Sequence, residues 1–159
     1  MSKKTNALRI LDEAGIPYET RAYTVDESDL SAGTVAQKIG LPTSQTFKTL
    51  VAKGEQTGVV LACIPGDAQL DLKALARASG NKKVEMVPLK DVFPLTGYIR
   101  GGVSPLGLKK DFPLVLDELA HAYDVISISA GTRGLQVLLN PEDLSHLTRA
   151  KVGDISRFD

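Results

Sequence analysis

The chain predicts a mixed α/β (α+β) fold, a curved, barrel-like mixed β-sheet surrounded by helices. Three observations lead there. Short apolar or alternating runs suited to strands are interspersed with amphipathic runs suited to helices, without the regular strand–helix alternation of a doubly wound nucleotide-binding sheet. At 159 residues the chain is long enough for one domain, spanning 1–159, to bury a sizeable core. No repeat, low-complexity stretch or linker divides it.

The elements follow in order. Ala7, Leu8, Leu11 and Ala14 recur on one face of a helix over Thr5–Ala14, and Gly15 and Pro17 stop it. A short alternating strand is expected at Tyr18–Tyr23, then an acidic loop at Asp26–Asp29. Ser31 is placed to cap a helix bearing Val35, Ala36 and Ile39, closed by Gly40 and Pro42. Phe47–Lys53 and Val59–Ile64 read as two strands joined across Gly54–Gly58 in a hairpin-like connection. Asp71 caps a helix carrying Leu72, Leu75 and Ala76, which Gly80 ends. Further strands are expected at Lys83–Val87, near Gly97–Ile99 and at Leu114–Leu116, with a short helix around Glu118–Tyr123. Val125–Ser129 and Leu135–Leu139 are the last strands, separated by Gly131-Thr132-Arg133-Gly134. Asn140-Pro141 then opens a helix, asparagine as cap and proline in the first helical position.

Composition removes several functions. Nineteen basic and nineteen acidic residues cancel, which argues against a general nucleic-acid binder but leaves room for contact with one RNA end or recruitment by a partner. With four phenylalanines, four tyrosines and no tryptophan, a stacking platform for several bases is not expected. The lone Cys63 rules out an internal disulfide and a cysteine-based zinc cage. The first ten residues are polar and basic, and no apolar run reaches membrane-spanning length. A cytoplasmic protein is expected, with no membrane association.

Candidate chemistry concentrates in two places. Lys48 interrupts the apolar run Phe47-Lys48-Thr49-Leu50-Val51. On a strand it shares a face with Leu50 and Ala52, so it sits either at a pocket edge or at a solvated sheet rim, the commoner place for a lysine. In a pocket it could pair with a phosphate or polarise an ester carbonyl. The loop Gly101-Gly102-Val103-Ser104-Pro105-Leu106-Gly107 could let main-chain N–H groups converge on an anion, or could be a tight turn. Ser104 is a ligand hydroxyl or a turn residue. Arg133, in the second glycine loop, could clamp a phosphate or simply lie in water.

The absences matter equally. No phosphate-loop signature and no Gly-x-Gly-x-x-Gly occurs, and no Gly-x-Ser-x-Gly elbow offers a serine nucleophile. His121 and His146 fall on predicted helices without a metal-ligand spacing, and Cys63 follows Val59-Val60-Leu61-Ala62 as core filling. No metal and no cofactor are expected. Hydrolysis, if any, would run by positioning and electrostatics.

Phe47–Val51, Gly101–Gly107 and Ser129-Ala130-Gly131-Thr132-Arg133-Gly134-Leu135 together resemble the YbaK/EbsC family. Gln69–Lys73 and Lys82–Met86 look like its connecting segments, so the resemblance runs from about Thr5 to Ile155. It implies a YbaK-like barrel-like sheet and an aminoacyl-tRNA deacylase related to the editing domain of bacterial prolyl-tRNA synthetases. The implied activity is trans-editing that removes mischarged cysteine from tRNA(Pro), with Cys-tRNA(Cys) a further substrate. A deacylase for alanine or another small amino acid, and a non-catalytic RNA-end or nucleotide-binding module, are the alternatives. A Schiff-base enzyme acting through Lys48 is a remoter one.

The resemblance matches Lys48 to the family's essential lysine, and Gly101 and Gly102 to the loop that approaches the ester. Tyr23, Ser104, Gly131 and Arg133 are the implied substrate-binding residues. The substrate's own thiol would attack its ester carbonyl, a formally lyase-like step. The implied partners are the aminoacyl-tRNA 3′ end and, transiently, prolyl-tRNA synthetase. Lys82, Lys83, Lys109 and Lys110 are candidate RNA-end contacts. Ala32 and Thr132 stand where many YbaK members carry an aromatic residue and a lysine, which resembles the EbsC-like branch.

Overall fold

A five-stranded mixed sheet carries the fold. The computed structural model describes residues 4–158; the first three residues of the polar opening stretch, and Asp159, lie outside the described residues. In chain order come α1 (Asn6–Glu13), β1 (Glu19–Ala22), α2 (Ala32–Ile39), β2 (Phe47–Gly54), β3 (Gly58–Pro65), β4 (Gln69–Leu70), α3 (Leu72–Ser79) and β5 (Val84–Met86). Then follow α4 (Leu89–Thr96), β6 (Leu114–Asp117), β7 (Ile126–Ser129), β8 (Leu135–Leu139), α5 (Pro141–Thr148), β9 (Lys151–Gly153) and β10 (Ser156–Arg157).

The main sheet runs β5-β2-β3-β6-β9, antiparallel on both edges of β2 and parallel from β3 to β9. A three-stranded antiparallel sheet, β1-β8-β7, lies beside it, and β10 pairs with β4. An isolated parallel bridge, Thr46–Ser127, joins the two larger sheets. The mixed class is as expected, but the sheet does not close into a barrel: β5 and β9 are its open edges.

Strand pleating sorts the side chains into two cores. Phe47 and Val51 of β2, with Leu61 and Cys63 of β3, join α1, β7, β8 and Leu144 of α5 in the larger one. Ala52 faces the other way, with Val60, Ala62 and Ile64 against Ala74 and Leu75 of α3. From Val60 onward β3 is buried throughout, as its unbroken apolar run requires of a strand covered on both faces. The expected hairpin forms, with Gly54 opposite Gly58.

The caps expected at Ser31, Asp71 and Asn140 are in place, and Thr5 caps α1 as well. Thr5 Oγ1 accepts from Leu8 N–H at 3.2 Å, Ser31 Oγ from Thr34 N–H at 3.3 Å and Asp71 Oδ1 from Ala74 N–H at 3.0 Å. Asn140 Oδ1 accepts from the N–H groups of Glu142 and Asp143. The buried Asp117 ties the chain end to the sheet, accepting from Ile155 N–H at 3.1 Å and from Ser156 Oγ–H.

One expected strand is corrected. Gly97–Ile99 is not a strand; α4, which the sequence reading did not anticipate, precedes it. Gly97, at φ 84°, ends that helix, and the Thr96 hydroxyl accepts from Tyr98 N–H at 3.0 Å and turns the chain. Pro88 before α4 and Pro94 inside it conceal its helical character. Among the described residues no helix is long and apolar enough to cross a membrane.

Candidate active site

On its outer edge β2 is only partly paired. β5 covers Ala52–Gly54 and Val87 N–H donates to Val51 O at 3.0 Å, while at the other end Thr46 bridges Ser127. Between these points the edge meets a cleft of about 460 Å³. Its walls are β2, the start of α2, Val87 and Val92, the Gly101–Val103 segment, and Ser129 with Gln136.

Lys48 lines this cleft and is half-buried; its Nζ donates to Gly66 O at 3.2 Å. Burial pushes its pKa below the ordinary lysine value, and the charge of Asp67 opposes that shift. Gly66 can be nothing larger. A Cβ there would lie 2.6 Å from Thr46 O and 2.8 Å from the Ala32 Cβ. The turn after β3 is thereby wedged against α2, and its carbonyl is aimed at the ammonium.

Of the predicted residues, Lys48 and Gly101 meet in the cleft. Gly101, at φ 84°, packs its α-carbon where a Cβ would touch Arg133 Nε and Leu30 Cδ1, each at 3.4 Å. Gly102 lies behind it, buried, its N–H donating to Ile99 O at 2.9 Å. Against it sits the second glycine loop, with Thr132 C and Arg133 N each 3.3 Å from the place of a Gly102 Cβ. Arg133 Nε donates to Arg100 O at 2.7 Å and so staples the two loops. Gly131 N–H donates to Ser129 Oγ at 3.1 Å. Ser104 is fully buried, its Oγ accepting from Leu106 N–H at 3.2 Å, and it turns its own loop rather than lining the cleft. Tyr23 is half-buried beside Gly134, to whose carbonyl its N–H donates at 2.9 Å, and is not a cleft residue.

Several site residues were missed. Tyr98 is buried, its hydroxyl donates to Leu106 O, and burial pushes its pKa up to about 12. Its ring lies against Gly131 and its hydroxyl against Gly107, so it spans both glycine loops. Thr49 lines the cleft with a buried Oγ1 that has no hydrogen-bond partner among the described residues; across the ladder stands Cys63, whose thiol is a weak donor. Ser129 and Gln136, opposite each other in the β7–β8 register, add polar groups to the cleft, and Gln136 Oε1 accepts from Ser127 Oγ–H at 2.7 Å. The available signal was a serine–glutamine pair interrupting two otherwise apolar strands.

The arrangement suits a small acyl group: an apolar slot, a few polar groups and one half-buried cation to offset charge on an oxygen. Cys63 is core, fully buried, its thiol pushed up to about 12 by burial, so it supplies no thiolate. His121 and His146 are exposed. Among the described residues no three metal-ligating side chains cluster.

Comparison with known proteins finds a family. The family model described as the aminoacyl-tRNA editing domain matches residues 27–147. The chain is 49% identical over 154 residues to the "Putative Cys-tRNA(Pro)/Cys-tRNA(Cys) deacylase EbsC" of Enterococcus faecalis, covering 97% of this chain and 94% of that one. It is 29% identical over 127 residues to the "Multifunctional Ser/Thr-tRNA deacylase ProXp-y" of Escherichia coli K12, covering 77% and 76% of the two chains. A solved structure described as a "putative trans-editing enzyme for prolyl tRNA synthetase" superposes with a TM-score of 0.83 at 29% identity, over 98% of this chain and 99% of that one. With the family model matching residues 27–147 and the similarity to the E. faecalis protein spanning most of the sequence, the chain belongs to the YbaK/EbsC group of the aminoacyl-tRNA editing domain family.

Proposed function

We propose that the protein is a trans-acting aminoacyl-tRNA deacylase that clears mischarged cysteine from tRNA(Pro), and cysteine from tRNA(Cys), in the cytoplasm. The observation that carries this reading is Lys48, a cation half-buried in the wall of an apolar cleft and held there by the Gly66 carbonyl. The E. faecalis relative, named for cysteine deacylation, supports the choice of amino acid. In this reading the whole chain, residues 1–159, works as one domain.

The ester carbonyl lies beside Lys48, whose ammonium offsets the negative charge that develops on the carbonyl oxygen. Gly101, without a side chain, leaves room for the acyl group. The cysteine sulfur attacks its own carbonyl carbon, and the bond from that carbon to the ribose oxygen breaks. The ribose oxygen takes up the proton the thiol gave, and the resulting thiolactone leaves to be opened by water. No enzyme nucleophile is needed, because holding the thiol in a near-attack pose is itself a large effect. Tyr23, Ser104, Gly131 and Arg133 act on this site by shaping the two loops, and a transient complex with prolyl-tRNA synthetase would supply tRNA selection.

A second reading, release of a small hydroxyl- or methyl-bearing amino acid by water, is favoured by the similarity to the E. coli Ser/Thr-tRNA deacylase. One experiment separates the two. Deacylation of Cys-, Ala- and Ser-tRNA(Pro) is followed side by side with the wild type and Lys48→Ala. The cysteine reading expects release of cysteine alone, slowed about 100-fold by the substitution. Release of alanine or serine at comparable rates moves the specificity, and no release from any of them leaves a binding module.

A further inference from the structure

The two rims of the cleft differ in character. On the α2 rim Ser31, Ala32 and Gly33 are small, Val35 is buried and Leu30 is half-buried. On the α4 rim large apolar side chains stand in water: Met86 and Leu89, which line the cleft, are 44% and 59% exposed, and Phe93 is 54% exposed. Leu89 and Phe93 are four residues apart on one helix and therefore share a face. The inner face of α4 is already occupied, with Val92 and Thr96 buried. Cations border the patch. Lys109 Nζ lies 5.6 Å from the centroid of the Phe93 ring and donates to Pro94 O; Lys90 is exposed beside Leu89, and Arg100 lines the cleft. The acidic residue of the helix, Asp91, is half-buried.

Single exposed apolar residues are ordinary on any surface. Three on the rim of one cleft, edged by cations, mark a binding surface. The chemistry of the substrate says what would lie on it. An aminoacyl ester is joined to the ribose of the last nucleotide, so an acyl group beside Lys48 puts the terminal base at the mouth, on one rim or the other. Unpaired bases are held by apolar and aromatic surface irrespective of sequence, and their phosphates by lysine and arginine. The α4 rim offers both; the α2 rim lines the cleft with only the half-buried Leu30 and no lysine or arginine.

We propose that Met86, Leu89 and Phe93 seat the terminal unpaired bases of the RNA that carries the ester, with Lys90, Arg100 and Lys109 meeting its last phosphates. This rests on reading the cleft as the acyl site. It fixes the direction in which the RNA end crosses the molecule, from the cleft outward over α4. It also reconciles RNA recognition with a chain of zero formal net charge, since the cations needed are few and local.

The test reads binding separately from cleavage. The probe is an uncharged RNA hairpin with the acceptor stem of tRNA(Pro) and its unpaired 3′ nucleotides, followed by fluorescence anisotropy, beside a blunt-ended version lacking them. Phe93→Ala and Leu89→Ser are expected to raise Kd for the unpaired probe about 5- to 10-fold, in keeping with the loss of one stacked base. Val152→Ser, which removes an exposed apolar side chain on β9 at the far edge of the sheet, is expected to leave it unchanged. In deacylation the two rim variants raise KM while kcat holds, and unchanged melting temperatures exclude a folding defect. Equal Kd for wild type and both rim variants overturns the proposal, as does equal wild-type affinity for the blunt probe. So does an effect that appears only when prolyl-tRNA synthetase is present, which would assign the rim to a protein partner. If cysteine, alanine and serine esters all prove stable while Phe93 still governs RNA binding, the deacylase reading fails and the RNA seat stands.

Discussion

Lys48 holds its charge where the surroundings resist it. Desolvation in the cleft wall favours the neutral amine, the charge of Asp67 favours the ammonium, and desolvation is the larger effect. The sign follows directly. A base with a lowered pKa loses its proton at a lower pH than an ordinary lysine, so a rate that depends on the Lys48 ammonium falls off on the alkaline side earlier than an unperturbed lysine would dictate. An NMR titration of the labelled Lys48 side chain should show a midpoint below that of the exposed lysines. In Asp67→Asn the midpoint should move lower still, because the charge that raises it is gone. Linkage gives the same residue a cost to the fold. Below its folded pKa the buried ammonium is destabilising, and the penalty is relieved as pH rises through that value toward the unfolded one. Lys48→Met is therefore expected to melt no lower than wild type at neutral pH while losing activity. A variant that lost both together would make Lys48 a structural residue.

The turn between β3 and β4 shows how elements place that side chain. Its Gly66 carbonyl receives the ammonium, and the turn comes within contact of the first residue of α2 and of the backbone at Thr43 and Thr46. Gly66→Ala must push backbone apart. The expected cost is about 1–3 kcal/mol in urea denaturation, accompanied by a fall in kcat as the acceptor of Lys48 shifts. An alanine variant with unchanged stability and rate would mean the turn absorbs a methyl group freely. Elements of this kind were legible where one local rule dominated. Ser31, Asp71 and Asn140 announced helix starts through cap chemistry, and the pleat of β2 put Lys48 apart from Phe47 and Val51. The α4 helix was not legible, because two prolines mask its period and its exposed face carries Leu89 and Phe93 where a polar face is expected. Nor were β4, β9 and β10, two or three residues each, whose pairing is set by partners distant in sequence. In the site, Lys48 and Gly101 stood out because a lysine in an apolar run and a glycine pair are locally unusual. Tyr98, Thr49 and Gln136 are ordinary residues locally, and only tertiary packing brings the last two to the cleft and the first beneath its glycine loops.

For the whole molecule, the balance of nineteen basic and nineteen acidic side chains bears on how a tRNA substrate is gripped. A protein that follows a duplex across its surface releases many counterions, and its affinity collapses with added salt. Among the described residues the cations near the cleft are Lys48, Lys90, Arg100, Lys109 and Arg133; the first is committed to the acyl site in the proposed mechanism and the last to the Arg100 carbonyl. Two or three phosphate contacts remain. For single-stranded RNA each contributes roughly −0.7 to the slope of log affinity against log salt, so a total of about −1.5 to −2 is expected. Measuring kcat/KM for an aminoacylated hairpin and for full-length tRNA between 50 and 200 mM salt, at subsaturating substrate, checks this on the order of magnitude. Both substrates should show the same shallow slope, because nothing beyond the 3′ end is held. A slope several times steeper for full-length tRNA would mean that a second face, around Lys82 and Lys83 for instance, grips the body of the RNA. The same slope with and without prolyl-tRNA synthetase would show that recruitment adds selection without adding phosphate contacts by this chain.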